Sequence, residues 1–567
     1  MSSTILTKHF PSDVSDNDND NVTHKTVQKI NPAVKIYGRR FYKDQTPVEY
    51  LSEFLLVFAA SKGSTKLDDQ QYKFSLPAGE NQAFYWPNDR INLKLFSFFP
   101  NSKLETRHEV HQDFYKEILE KLKDDLHYET DNYNEKNSSS SRLIIDGNLT
   151  KEESIKLFQS LLAGFIGVAK DRTWVTHSFF PVSHIFLSRE VAWLHSNAKK
   201  DKSLKKWPDA KKYFATDRHL FMARGGELLF LQITHLFSNE DNQEILSNKF
   251  NDRNYNHLNT KKISDLQESL EYNLRLLLNS NNLLTELTQF IKTSLTKIES
   301  AIFEATENKN LEQSTTIRKA PLGWIPVDTL PEAFLFTNEL QNICQSNLDV
   351  LEKLDLLKML CCMQVLRTHC FQAQRVDNPE IKIEGFIGGY TWIVTNPNAD
   401  TKSGVRKMAQ KSLENIEEML YRVLRKVGAS LCEQNNIPRK GMYAESDKHG
   451  FAIFKKIAKE IGLVIPRTGA GARFVLPPHL LRFLVAALLA PGERIRLTKF
   501  YERVFAHYGI ALGDIQIATA MAWNGNHTDR HNYAVAADTT WIEETLQQGG
   551  LLVELSDAVS IVHNPGS

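Results

Sequence analysis

The chain has 567 residues, of which 41% are hydrophobic and 24% charged, and its formal net charge is +1. This length exceeds what one hydrophobic core usually organises, so we expect three or four units of about 100–200 residues each. A charge so close to zero excludes a global attraction to nucleic acid or anionic lipid, and any such binding must come from a local patch.

The N-terminal part changes character several times along the chain. Residues 1–30 are rich in Ser, Asp and Asn and predict a disordered tail. Residues 31–128 predict a mixed α/β unit, with a helix start at Pro47 and strand-like alternation at 91–95. The Asn- and Ser-rich stretch 129–143 predicts a linker.

Helical periodicity dominates the middle of the chain. Residues 144–376 predict a helical scaffold, and residues 377–465 predict a helical basic segment. The predicted helices are 188–196, 217–238, 262–279, 282–307, 331–345, 347–376 and 404–433. Polar stretches at 199–212 and 239–259 predict surface loops. Gly225 and Gly226 fall inside one helical pattern, where paired glycines favour close helix packing.

Residues 466–567 show the element order of a winged helix. A helix at 478–489, a short strand at 494–497, a helix at 498–508 and a helix at 539–548 precede a hairpin at 551–562. The sequence therefore predicts a mainly α, multi-domain helical scaffold with a small mixed α/β N-terminal unit and a C-terminal winged-helix module.

The basic charge is concentrated in residues 439–503, which contain thirteen Lys or Arg against five acids, a local net charge of +8. Such a patch can neutralise phosphates, but it also fits a solvated face or an acidic partner subunit. The candidate contact residues are Arg467, Arg473, Arg494, Arg496 and Lys499. The helix 539–548 carries two glutamates and no basic residue, so insertion into a major groove is disfavoured and protein docking is an equal alternative.

Catalytic signatures are missing or incomplete. No nucleotide-binding glycine loop and no G-x-S-x-G nucleophile motif occurs. Asp377, Glu380 and Lys382 have the acid and lysine spacing of some metal-dependent nucleases on a strand-like stretch, but they lack a converging acid. A nuclease is therefore the enzymatic alternative to a non-catalytic protein.

The sequence predicts no cofactor and no metal site. The five cysteines are few and odd in number, which is typical of free thiols in a reducing compartment. Two groups with potential zinc ligands lack the spacing of a zinc site: Cys361, Cys362 and Cys370 with His369, and His108 with His111. A third group, His527, Asp529 and His531 with His563, lies beside the turn-forming residues 524–526, which favour a surface loop over a metal site. No signal peptide and no membrane span is predicted, so we expect a cytoplasmic protein without membrane contact.

Several short motifs near the C-terminus carry a resemblance. They are Gly471-Ala472-Arg473-Phe474, Pro491-Gly492-Glu493-Arg494-Ile495, Phe500-Tyr501-Glu502-Arg503, Tyr508-Gly509-Ile510 and Ser556-Asp557-Ala558. Over roughly the last 100 residues the chain resembles accessory subunits of prokaryotic DNA-defence clusters, such as the non-ATPase component of phosphorothioation-dependent restriction systems. The resemblance implies a helical subunit that assembles with a DNA-translocating ATPase, and it supplies no catalytic residue.

These observations together predict a non-catalytic scaffold subunit of a prokaryotic, antiphage DNA-directed complex. It would bind double-stranded DNA or a partner, with the ATPase or translocase as the expected neighbour. A metal-dependent nuclease subunit and a pure protein-docking scaffold are the alternatives.

Overall fold

The structure is a computed structural model, and it describes part of the chain. The described residues are 31–38, 47–60, 225–260, 262–279, 324–380, 385–436, 438–524, 539–555 and 559–565, with short segments at 9–10, 84–85, 95–97, 175–177, 188–193, 214–221 and 320–321 and single residues at 41, 45, 73, 74 and 383. The predicted linker 129–143 and the predicted helix 282–307 lie outside the described residues. The predicted tail 1–30 also lies outside them, except for residues 9–10.

The described residues are mainly α-helical. Their helices are α1 (Pro32–Tyr37), α2 (Pro47–Ala60), α3 (Gly225–Phe237), α4 (Asp241–Lys249), α5 (Ile263–Asn279), α6 (Leu330–Gln345), α7 (Val350–Asp377), α8 (Gly404–Asn435), α9 (Arg439–His449), α10 (Phe451–Glu460), α11 (Pro478–Leu488), α12 (Leu497–Tyr508), α13 (Asp514–Asn524) and α14 (Thr540–Gln548). Short 3-10 turns cover Arg253–Tyr255 and Val327–Thr329. The helices predicted at 262–279, 331–345, 347–376 and 404–433 are confirmed as α5 to α8.

The strands are short. They are β1 (His9–Phe10), β2 (Phe84–Tyr85), β3 (Leu95–Ser97), β4 (Val175–His177), β5 (Ser188–Trp193), β6 (Phe214–Phe221), β7 (Ala320–Pro321), β8 (Ile325–Pro326), β9 (Trp392–Ile393), β10 (Val464–Ile465), β11 (Arg473–Phe474), β12 (Arg494–Arg496), β13 (Ile510–Ala511), β14 (Leu552–Glu554) and β15 (Ser560–His563). Most of them form two-stranded ladders, and β12, β15 and β14 form a three-stranded sheet in that order.

Helix α7 is the central helix of the described part. Asp349 caps its N-terminus by accepting a hydrogen bond of 2.8 Å from the Leu351 N–H. From Leu354 to Gln374 almost every side chain is buried, as expected for a helix that is enclosed on all sides. Helices α2, α6, α8 and α10 pack around it.

The glycine pair at the start of α3 allows close contact with α2. A Cβ atom at Gly226 would lie 2.5 Å from the Tyr50 carbonyl oxygen and 2.5 Å from the Phe54 backbone nitrogen. Only a residue without a side chain permits this approach. The predicted packing role of Gly225 and Gly226 is therefore confirmed.

Three local predictions are wrong. The predicted helix at 188–196 and the start of the one at 217–238 are instead β5 and β6, which pair antiparallel, because pairing between distant segments overrides helical periodicity. The predicted loop at 239–259 contains α4. Its asparagines act as caps, since the Asn242 amide donates to the His235 carbonyl at 2.8 Å.

The C-terminal elements largely follow the sequence prediction. Helix α12 ends at Gly509, which has φ +68° in the left-handed region that favours glycine. The predicted hairpin is confirmed as β14 and β15, and the predicted strand is β12, which pairs with β15. Helix α13 was missed by sequence reasoning. The assignment of these elements to the winged-helix class stays a prediction.

The C-terminal elements are joined to the helical scaffold. Strand β13 pairs in parallel with β9, with Ile510 opposite Trp392. Buried apolar side chains from Ala33 to Val562 form one continuous cluster. The predicted unit boundaries at 377 and 466 stay predictions. Among the described helices, none is both long and apolar enough to cross a bilayer.

Candidate functional site

The strand β12 exposes two of the predicted contact residues. Side chains alternate along a strand, so Arg494 and Arg496 project from one side while Ile495 is half-buried on the other. β12 is the edge strand of its sheet. Neither arginine forms an ion pair with any residue that the structure describes. Lys499, in the first turn of α12, donates to the Glu502 carboxylate at 2.6 Å.

The hairpin of β10 and β11 carries the other two predicted residues. Arg467 is exposed, and its carbonyl oxygen accepts a hydrogen bond of 3.0 Å from the Lys459 ammonium. Arg473 is only 6% exposed, although the sequence named it as a candidate contact residue. Its Nη2 donates to the Pro397 carbonyl at 2.9 Å.

Much of the positive charge of 439–503 is neutralised by carboxylates. The pairs are Arg439 with Glu433, Lys455 with Glu417, Lys456 with Glu460, Arg482 with Glu352, Lys499 with Glu502 and Arg503 with Glu493. Three of these acids, Glu433, Glu417 and Glu352, lie outside the segment. A count of charge within a sequence window omits them, so the net charge of +8 overstates the free charge.

The residues of the nuclease alternative are not assembled into a metal site in the described part. Asp377 ends α7, and its carboxylate accepts two hydrogen bonds from Arg422, one of them 2.9 Å long. Glu380 is exposed in a turn, and Lys382 lies outside the described residues. Within the described residues of the strand-like stretch, Ile383 and Phe386 form an isolated antiparallel bridge. No group of three or more His, Cys, Asp or Glu that could hold a metal occurs among the described residues.

The cysteines are buried and free, as the sequence predicted. Burial raises the pKa of Cys344 to about 12 and raises that of Cys361 well above its usual range. Thiols held in the neutral form are poor nucleophiles and poor metal ligands. His369 stacks on Tyr37 with ring centroids 4.3 Å apart, and burial lowers its pKa to about 4. The cysteines and His369 are therefore core residues. The groups at 108–111 and 527–531 lie outside the described residues.

Sequence reasoning missed a fully buried charge centre between α6, α7 and α12. The Glu339 carboxylate accepts hydrogen bonds of 2.7 and 2.8 Å from Arg367. It also accepts 2.8 Å from the Tyr508 hydroxyl and lies 2.7 Å from His507 Nδ1. Burial opposes the charge, but Arg367 and His507 hold the pKa of Glu339 below its usual value. Neither Glu339 nor Arg367 stands out in the sequence, because α6 and α7 both contain other charged and polar residues.

A second histidine continues this centre toward the surface. His257 Nε2 lies 2.9 Å from His507 Nε2, and the two rings stack with centroids 5.1 Å apart. Burial lowers the pKa of His257 to about 2 and also lowers the pKa of His507. With the acceptor positions of Glu339 filled by three side chains, the carboxylate has no free lone pair for a substrate. The centre therefore cross-links helices rather than forming a reactive site.

The described part of the chain thus offers exposed cations as candidate contact residues and no assembled reactive centre. Comparison of the chain with models of protein families, with curated proteins and with solved structures gave no match.

Proposed function

We propose that this chain is a non-catalytic subunit that binds nucleic-acid phosphates through β12. The observation that carries the proposal is the pair Arg494 and Arg496, exposed side by side without a carboxylate among the described residues. Most neighbouring cations are paired. Two guanidinium groups on the same side of a strand can contact successive phosphates and release the counterions condensed there.

The test is binding of a double-stranded oligonucleotide over a salt series, measured by fluorescence anisotropy. Arg494→Glu/Arg496→Glu should weaken binding and flatten the dependence of log affinity on log salt by roughly 2, because each lost phosphate contact removes about 0.9 from the slope. The matched control is Arg439→Glu/Lys440→Glu, which changes the charge equally at the exposed start of α9. Equal effects of both double variants, or none, would overturn the proposal.

A protein-docking scaffold is the second candidate function. Val553 and Leu555 are 46% and 52% exposed on the β14 edge of the same sheet, and exposed apolar side chains at a sheet edge favour protein contact. Val553→Ser/Leu555→Ser should then abolish co-purification with a partner while oligonucleotide binding is retained. No shift of any oligonucleotide by the unmodified chain would favour this function over the first.

The resemblance of the last 100 or so residues supports placing either function in a prokaryotic DNA-defence complex. The partner would be a DNA-translocating ATPase in the cytoplasm. Co-expression with a DNA-translocating ATPase from the same genome, followed by size-exclusion chromatography, tests this assignment. Separate elution of the two chains would contradict it.

A further inference from the structure

Arg473 is a buried cation without a counter-ion. Its side chain is 6% exposed, its Nε has no hydrogen-bond acceptor, and its Nη2 is bound only to the Pro397 carbonyl at 2.9 Å. It forms no ion pair with any residue that the structure describes. Elsewhere in this core, Arg367 and Arg503 face carboxylates at 2.7–2.8 Å. Burial of an uncompensated charge is costly. An anion beside Arg473 would therefore stabilise this part of the fold.

A second arginine, not identified from the sequence, reaches the same turn. Arg406 Nη1 donates to the Ala399 carbonyl at 2.8 Å, two residues from the carbonyl that holds Arg473. The Thr395 N–H donates to the Phe474 carbonyl at 3.3 Å, which places β11 beside this turn. Burial, and then the charge of Arg406, lower the pKa of Arg473. Two like charges therefore converge where opposite charge is needed.

The turn leads into the N-terminus of α8, a helix of 32 residues. The side chain of Ser403 at the N-cap makes no capping hydrogen bond, and the first turn contains no acid. The first backbone N–H groups of a helix have no intrahelical acceptor, and the helix dipole favours negative charge there. The nearby acid Asp400 accepts a hydrogen bond of 2.8 Å from the Lys402 N–H and interacts with the charge of Arg406, but among the described residues it forms no ion pair with Arg406 or Arg473.

We propose that Arg406, Arg473 and the N-terminus of α8 bind a phosphate-type oxyanion. A Cβ atom at Gly404, Gly469 or Gly471 would meet nothing within 4 Å, so these glycines at the start of α8 and in the loop before β11 border open space. The bound group is either a free phosphate, as in inorganic phosphate or a nucleotide, or a phosphodiester of a nucleic-acid backbone. The site is separate from β12 and does not depend on the function proposed above.

Two probes test the site at fixed ionic strength: inorganic phosphate by calorimetric titration, and a double-stranded oligonucleotide by anisotropy. Arg406→Gln should weaken the binding of one of these probes about tenfold, as expected for one lost charge-assisted hydrogen bond. Lys411→Gln, two turns into α8 and 60% exposed, is the matched control and should leave both unchanged. Loss of phosphate binding assigns a free phosphate, and loss of oligonucleotide binding alone assigns a backbone phosphate. Binding of both probes unaltered by Arg406→Gln overturns the site.

A second variant supplies the missing anion from the chain itself. Ser403→Asp places a carboxylate at the N-cap, where the backbone is extended with φ −57° and ψ 131°. It should raise the melting temperature and abolish binding of the assigned probe. A lower melting temperature with binding retained would contradict the proposal. Arg494→Glu/Arg496→Glu should keep this site intact, so failure of the β12 function and failure of this site are distinguished.

Discussion

Replacement of Glu339 by Gln tests how the buried charge centre stabilises the fold. Glu339 and Arg367 are each 0% exposed and joined by hydrogen bonds of 2.7 and 2.8 Å. Removing one partner of such a pair leaves an uncompensated charge, at a cost of about 3–5 kcal/mol. Total stabilities are about 5–15 kcal/mol. Glu339→Gln should therefore remove a large share of the free energy of unfolding.

The assay is urea unfolding followed by circular dichroism, together with hydrogen exchange of the α7 amides. The exposed pair Arg422 and Asp377, with Arg422 57% exposed, is the matched control, and Asp377→Asn should cost about 1 kcal/mol or less. Glu339→Leu/Arg367→Met should cost less than the sum of its single variants by at least about 2 kcal/mol, because no charge is left unpaired. Additive costs, or a Glu339→Gln effect no larger than that of Asp377→Asn, would refute the reasoning.

The remaining predictions concern acid stability, glycine packing and thiol access. His257 and His507 have lowered pKa values in the fold, so the unfolded chain binds more protons below about pH 6.5 and stability should fall there by up to about 1.4 kcal/mol per pH unit for each histidine. Melting temperatures between about pH 8 and pH 5 check this, and a flat profile would contradict it. Gly226→Ala should lower the melting temperature, because its Cβ would lie 2.5 Å from backbone atoms of α2, whereas Gly441→Ala in α9 meets nothing within 4 Å and should be neutral or stabilising by up to about 1 kcal/mol. The five cysteines are buried, and alkylation detected by mass spectrometry should require denaturant; rapid labelling of the native chain would show that the core opens.

Local signals in the sequence were sufficient where the structure depends on local chemistry. Pro47 begins α2, and Gly509 ends α12. Each of these boundaries follows from a backbone preference of one or two residues. The mainly α class follows from the helical periodicity of long segments.

Contacts between distant segments could not be predicted from one sequence. Glu339 and His507 are separated by 168 positions, and β5 pairs with β6 across a stretch that shows no hairpin signal. The buried state of Arg473 has the same origin, because its acceptor, Pro397, lies 76 positions away. A basic residue in a Gly-rich loop resembles an exposed contact residue until its partner is known.

Comparison of the buried arginines in this fold indicates which of them is available to bind an external anion. Arg367, Arg375 and Arg503 are buried or nearly so, and each faces a carboxylate at 2.6–2.8 Å. A charge that only stabilises the fold needs such a partner, because desolvation without one costs more than the packing of the side chain contributes. Arg473 is desolvated without a carboxylate among the described residues, and in the proposal above a bound oxyanion offsets that cost. Arg473 differs from these three arginines in lacking a carboxylate partner among the described residues. This difference, and not the net charge of residues 439–503, makes Arg473 an informative position for a binding experiment.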